Sequence, residues 1–360
     1  MYSPALASGA SVVPFVVKIL TVQTYEPNLD LLRHTFGNSV QDCHAELIKV
    51  ALGWSRVYRV TLTRQGQGYS PRETVIVKTM DPRDLPVGFD AVRELRYYQI
   101  LHPQLSIAKP EVYFLTTDEA TGFHVIVMED LASTHDIPVH PHTWTYEELK
   151  SVLCAYAYLH TNAANPAYEW LAPRHERALD FEKIVDQVAI VQQAGIWGDL
   201  AGLADLIAYA RESCQNYANV DLSLLHGDTT PANAPLPKDL GARPATLIDW
   251  QDVGIGMPEF DLAYIDLQPF ESGRSVPRSE LLDIYWCYRS ELDSDIPSPE
   301  EQRARQLHAD VVFALWLTAS ASRVALHPYQ EGTYPHMHWA SQFGIVYKRL
   351  KDLIQEINRQ

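Results

Sequence analysis

The stretch LLHGDTTPAN, Leu224 to Asn233, decides the reading of this chain once it is joined to LIDW, Leu247 to Trp250. Leu224-Leu225 reads as a short buried strand that ends at His226-Gly227-Asp228. Thr229, Thr230 and Pro231 bias the backbone to turn, and Asn233 then comes back toward Asp228. A carboxylate at a strand end can orient a substrate hydroxyl and accept its proton. The carbonyl oxygen of Asn233 is a hard ligand suited to Mg²⁺. Leu247-Ile248 reads as a second buried strand, with Asp249 at its end as a second acid for a metal that carries a polyphosphate. Phosphoryl transfer asks for that set: positioning, charge neutralisation by metal, and one acid facing the nucleophile. Either Asp alone reads equally well as a turn residue.

Upstream, Lys78 interrupts the apolar run TVIVKTM, Thr74 to Met80. A lysine there is either a snorkelling edge residue or a buried functional charge. Glu94 falls on the apolar stripe of FDAVRELRYYQILH, Phe89 to His102, which reads as a helix with Ala91, Glu94, Tyr98 and Leu101 on one face. A carboxylate in a buried stripe is costly unless paired. Pairing Lys78 with Glu94 resolves both oddities and fixes the lysine for phosphates. Gly53 and Ser55, in ALGWSRVYRV, could bring backbone amides to a phosphate, though a Gly-Trp-Ser hairpin turn needs no function.

With 360 residues, 46% of them hydrophobic, the chain is long enough for two lobes. The net charge of −16 argues against nucleic acid or an anionic membrane as a partner and suits a cationic small molecule, or plain solubility. The four cysteines form no CxxC, which fits a reduced, cytoplasmic setting. No signal peptide is read in the first residues, and no segment reaches the ~18 uncharged apolar residues of a membrane span.

The first 130 residues read as strand-rich with one embedded helix: ELIKVAL, RVYRVTLTRQ, TVIVKTM, EVYFLTT and GFHVIVMEDL are the strand candidates. Residues 1–30 stay unassigned. The remainder reads as helical, beginning with TYEELKSVLCAYAYLHTNA and a Thr143 or Thr145 cap. Further helices are expected near 180–194, 200–218, 278–292, 300–325 and 338–358, interrupted by the short strands SLLHGD and ATLID. This divides the chain into an N-terminal nucleotide-binding lobe, 1–130, and a helical lobe for catalysis and acceptor binding, 131–360.

HGDTTPAN, then LIDW, then GIGMPEFDLAYI, matched from His226 to Ala263, resembles the aminoglycoside phosphotransferase family, which is similar to choline kinases and other small-molecule kinases. The resemblance runs from about Ala45 to Tyr264 and more loosely beyond. It implies an α+β, bilobal protein-kinase-like fold, with an antiparallel sheet and one main helix in the N-lobe and a mostly helical C-lobe. It also implies Asp228 as catalytic base, Asn233 and Asp249 as magnesium ligands, and Lys78 on the nucleotide phosphates with Glu94 as its partner. Gly53 to Val57 resembles the nucleotide-covering loop, with Ser55 in it. Met128, Glu129 and Leu131 fall in the hinge whose backbone meets adenine. His226 resembles a loop support, and Asp261 a structural tie. The family usually continues from the Asn into an apolar strand such as NVLV. Here it reads NAPLPKD, and Pro235 and Pro237 donate no ladder hydrogen bond, so that strand is expected short, shifted or at an edge.

No Walker loop or HExxH occurs, GIGMPE lacks the third Gly of a dinucleotide fingerprint, and His44-Ala45-Glu46 lacks the PCxxC of a zinc deaminase. The resulting expectation is transfer of the γ-phosphate of ATP, or GTP, with Mg²⁺ to the hydroxyl of a small molecule. The alternative is a kinase-like regulator or pseudoenzyme that binds nucleotide without transfer. Acids including Asp266, Glu271, Glu291, Asp293 and Asp295 lean toward an amine-bearing acceptor. Tyr285, Trp286, Tyr288 and Trp316 either line a pocket for a more apolar alcohol or are core.

Overall fold

The computed structural model describes residues 26–359 apart from 52–54, 67–71, 82–91, 119–120, 140–141, 163–169, 172–180, 194, 196, 218–219, 241–242, 268–272, 275 and 327–333. The expectations for residues 1–25, for Gly53 and for the first part of the helix at Phe89 fall outside the described residues. The chain divides into two compact units: residues 1–100 with 112–129, and residues 101–111 with 130–360.

The first unit opens with α1 (Leu29–Phe36), an element the sequence reading left unassigned. Its signals are local: the Asn28 side chain accepts from the Leu31 amide, and Gly37 at φ 82 ends the helix where a side chain would be strained. A five-stranded antiparallel sheet follows, built from β1 (Val40–Ala51), β2 (Ser55–Arg64), β3 (Arg72–Met80), β4 (Val112–Thr117) and β5 (His124–Glu129), in the order β1-β2-β3-β5-β4. Strand periodicity decides which way each side chain faces. Val75 and Val77 of β3 join Tyr58, Val60 and Leu62 of β2 and Val125 and Val127 of β5 in a core that includes Leu31 and Leu32 of α1. Lys78 therefore faces the opposite side of a central strand, between Val57 and Ile126 in register.

The helix expected through His102 is described as α2 (Arg93–Arg96) and a π turn, Tyr97–Leu101. Glu94, Tyr98 and Leu101 are buried as their spacing predicts, and so is Tyr97. The wider turn accompanies burial of two consecutive tyrosines, which a 3.6-residue period sends to different faces.

The second unit begins with two short strands, β6 (His135–Asp136) and β7 (Thr143–Trp144), and then helix α3 (Tyr146–Leu159). Thr145 caps α3 in a reciprocal box with Glu148. Helices α4 (Phe181–Gln193) and α5 (Leu203–Asn216) precede β8 (Ser223–Leu225), β9 (Leu236–Pro237), β10 (Gly254–Gly256), α6 (Glu259–Leu267) and β11 (Gly273–Arg274). The chain ends with α7 (Arg278–Leu292), α8 (Pro299–Leu326) and α9 (Tyr334–Ile357). Apolar residues of α4, α5, α6, α8 and α9 form one core, including Val191, Leu206, Ala263, Leu315 and Leu350. Helix α3 packs separately on α7.

One expectation is corrected here. ATLID is extended but is not a strand. Successive amides leave it for different acceptors: Ala245 for Ser151, Thr246 for Pro235, Leu247 for Ala108 and Ile248 for Asn233. The strand after Asn233 is short, as expected, only Leu236–Pro237, and NAPLP is buried throughout. Its prolines stand where only a carbonyl is needed, Pro235 accepting from Thr246 at 2.9 Å and Pro237 pairing with His135.

Candidate active site

In the sheet unit, Lys78 and Glu94 are brought together. The ammonium lies 2.7 Å from Glu94 Oε2 and 2.9 Å from Oε1. Lys78 is 6% exposed and Glu94 is 1% exposed, so each charge depends on the other. His124, two residues along β5 from Ile126, is buried nearby, and its pKa falls to about 4 through burial, with the Lys78 charge adding to the fall. Ser55 is buried at the start of β2, opposite Met80. Met128 and Glu129 end β5, and Asp130 then caps the 3-10 turn Leu131–Ser133 by accepting from the Ala132 amide at 3.1 Å.

In the helical unit, the loop after β8 is suspended from one carboxylate. Asp261, in the first turn of α6, accepts the His226 amide at 2.8 Å on Oδ2 and the Gly227 amide at 3.0 Å on Oδ1. Gly227 has φ 84, a conformation that favours glycine and that aims its amide at Asp261. His160, just past α3, is held between Asp261 Oδ2 at 3.2 Å and the Tyr285 hydroxyl at 2.9 Å. Burial opposes a charge on Asp261, but the His160 hydrogen bond and the two amides hold its carboxyl below the ordinary range. Burial lowers His160 and His226, so both rings are neutral at pH 7.

The His226 ring is committed to the backbone. Nε2 donates to the Ile248 carbonyl at 2.9 Å, and Nδ1 accepts the Asp228 amide at 3.3 Å. The ring also packs on Trp250, with centroids 4.5 Å apart. Two extended segments, after Leu225 and before Asp249, are thereby tied through one imidazole. Asp228 is half-buried, and its Oδ2 accepts from Asn233 Nδ2 at 2.9 Å. The same nitrogen also reaches the Asp228 carbonyl at 3.1 Å. Asn233 spends its amide nitrogen on Asp228, so its carbonyl oxygen is the face left for a cation. Asp249 is half-buried and sits at φ 66, ψ 64, the one non-glycine residue with positive φ among those described. Such a backbone is costly and persists where surroundings impose it, often at a functional site. Asn233 and Asp249 thus offer hard oxygens of the kind Mg²⁺ takes alongside phosphate oxygens and water.

Sequence reading missed His160 and left Tyr285 open between pocket and core. His160 follows the long apolar face of α3, where a buried imidazole needs partners. Tyr285 is fully buried with its hydroxyl on His160, which removes it from the candidate acceptor pocket. Trp316 remains 39% exposed, stacked on Phe313. Of the acids near the expected acceptor region, Asp266 pairs with Arg278 at 3.3 Å and Asp293 with Arg289 at 3.2 Å, and Glu271 is outside the described residues. Among the described residues no helix is long and apolar enough to cross a membrane.

A small-molecule phosphotransferase is the class that this loop and this lysine–glutamate pair define. The phosphotransferase enzyme family model (APH) matches residues 46–310, and the chain belongs to that family. Solved structures agree in fold. A microcompartment-associated aminopropanol kinase is similar at 14% identity and TM-score 0.55, covering 91% of this chain and 98% of its own. The Plasmodium vivax ethanolamine kinase gives 12% identity and TM-score 0.54, with 91% and 86% covered. A GDP complex of wild-type aminoglycoside 2'-phosphotransferase gives 14% identity and TM-score 0.53, with 90% and 97% covered. The antiparallel sheet unit followed by a helical unit is accordingly a protein-kinase-like fold. No curated protein matches the chain by sequence.

Proposed function

We propose that the protein transfers the γ-phosphate of ATP, or of GTP, to a hydroxyl of a small molecule, with Mg²⁺ as cofactor. The observation that carries this is the Asp228–Asn233 bond at 2.9 Å, inside a loop fixed by Asp261. It gives the carboxylate one orientation, from which it would meet an acceptor hydroxyl. Asp228 would orient that hydroxyl and take its proton as the bond to phosphorus forms. Lys78, held by Glu94, would bind the α/β end of the nucleotide. Ser55 and its neighbour Gly53 would cover the phosphates, and the backbone at Met128, Glu129 and Leu131 would receive the base. Asn233 and Asp249 would hold the magnesium, which when bound neutralises charge on the β- and γ-phosphates. The net charge of −16 supports an amine-bearing alcohol as acceptor and speaks against nucleic acid or anionic lipid. The described cysteines are all free thiols, in keeping with the reducing cytoplasm.

The test is nucleotide consumption against a panel of amino alcohols, aminoglycosides, sugars and apolar alcohols. Turnover is expected with one class, and Asp228→Ala should lower it about 10²–10⁴-fold while nucleotide still binds. Near-normal turnover by that variant would remove Asp228 as base. Tight nucleotide binding with transfer to none of the panel would favour a regulator.

A further inference from the structure

Behind the catalytic loop lie two buried groups that phosphotransfer leaves idle. Glu259 begins α6, two residues before Asp261, and is 0% exposed. Its backbone carbonyl accepts from Gln306, yet among the described residues nothing but its own helix-start amide is directed at its carboxyl. Arg289 of α7 is also buried. Its Nη2 reaches outward to Asp293 at 3.2 Å, while Nε and Nη1 make no hydrogen bond. A carboxylate so placed is strongly disfavoured when ionised, unless a cation comes to it.

The surroundings define which cation can come. Burial lifts Glu259 to about 7, the helix-start amide opposes that, and Arg305 and Arg289 pull it down while Glu301 pushes it up. Further titratable neighbours are Tyr285 on α7, Tyr217 at the end of α5 and, on α8, His308, which lies 6.0 Å from the Phe260 ring and is bonded by Ser213 at 2.7 Å. Helix α9 also packs on α6 and carries Arg349, which is engaged by Asp310 at 2.8 Å. Arg305 is engaged by Glu301 on its own helix. Arg289 has two donors without a hydrogen bond, Nε and Nη1, where Arg349 has one, Nε. Its charge is also felt by His160 and Tyr285, the string that ends on Asp261.

We infer that Glu259 and Arg289 form a protonation-controlled latch that positions the catalytic loop. Neutral Glu259 leaves Arg289 on Asp293. Ionised Glu259 draws Arg289 inward, disturbs the first turn of α6, and loosens the grip of Asp261 on the His226 and Gly227 amides. Glu259 is then a positioning residue that acts through Asp261. The loop's catalytic role rests on the phosphotransfer proposed above, whereas the latch itself does not.

Amide exchange of the Leu224–Asn233 segment tests it, corrected for the intrinsic pH dependence of exchange. Protection in the unaltered protein is expected to fall about tenfold between about pH 6 and about pH 8. Glu259→Gln should abolish that fall. Asp293→Asn, at a half-exposed position, releases Arg289 and should lower the midpoint by about half a unit. The same fall in Glu259→Gln, or an unmoved midpoint in Asp293→Asn, overturns the latch. If exchange responds as expected while no acceptor in the panel is phosphorylated, the latch stands and the phosphotransfer reading fails.

Discussion

In the sheet unit the polar centre is two side chains, Lys78 and Glu94, that satisfy each other at 2.7 Å. In the helical unit one carboxylate, Asp261, instead gathers two backbone amides and an imidazole. The first arrangement is a pair of side chains, so both charges can be removed together. The second is open, because two of the three groups that Asp261 satisfies belong to the main chain and cannot be deleted with it. The difference shows where each unit is vulnerable, and substitution can test it.

The largest effect is expected at Asp261. Asp261→Leu leaves the His226 and Gly227 amides and His160 without their acceptor, at ~1–3 kcal/mol each, so a loss of about 3–9 kcal/mol should appear in denaturant unfolding. Misplacing the loop by about an ångström should also lower turnover about 10²-fold. Asp261→Asn keeps one carbonyl oxygen for one amide and should fall between. A leucine variant with unaltered stability would show that the loop is held by its own turn residues and by His226.

At Glu94 the cost should be smaller and reversible. Glu94→Met strands a buried ammonium and should cost about 3 kcal/mol. Adding Lys78→Met should restore most of that stability, measured by the same unfolding midpoints, without restoring turnover. Failure of the double variant to recover would mean that the pair is more deeply tied into the sheet than its mutual contact implies.

This contrast also explains what the sequence disclosed. Lys78 in an apolar strand and Glu94 on an apolar stripe are each anomalous alone, so alternation and helical spacing expose both. Asp228, Asn233 and Asp249 were legible as a set of residue types with an order. The tie from Asp261 to the backbone amides was not, because amides are the same at every position and only the fold says which ones lack a partner. His160 and Tyr285 were hidden for a related reason: partners that meet across 125 residues of chain leave no local pattern. The π turn at Tyr97 and the irregular path of ATLID escaped because tertiary packing overrode periods that were locally regular. Helix α1 is a different case, since Asn28 and Gly37 announced both ends.

The smallest expected effect separates the regions by pH. His124 lies in β5 at 2% exposure, and burial, with some help from Lys78, lowers it from 6.5 to about 4. Between those values the unfolded chain binds a proton that the folded chain does not. Stability from His124 is therefore present above about pH 6.5 and is lost as pH falls toward about 4. A fall from 6.5 to about 4 corresponds to at most about 3.4 kcal/mol. Glu259 acts in the opposite sense. Its folded value of about 7 stands above the 4.5 of the free group, so its contribution is full below 4.5 and is lost as pH rises toward about 7. His102, lowered to about 4, works in the same direction as His124 but belongs to the other unit. His124→Gln should accordingly shrink the loss of stability between about pH 7 and about pH 4.5 by about 1–2 kcal/mol, read as the change in urea midpoint. An unchanged acid loss in that variant would assign the sensitivity to the helical unit, where burial also lowers His102, His160 and His226 and Asp261 is held below its ordinary range, and would leave the lysine side of the sheet indifferent to acid.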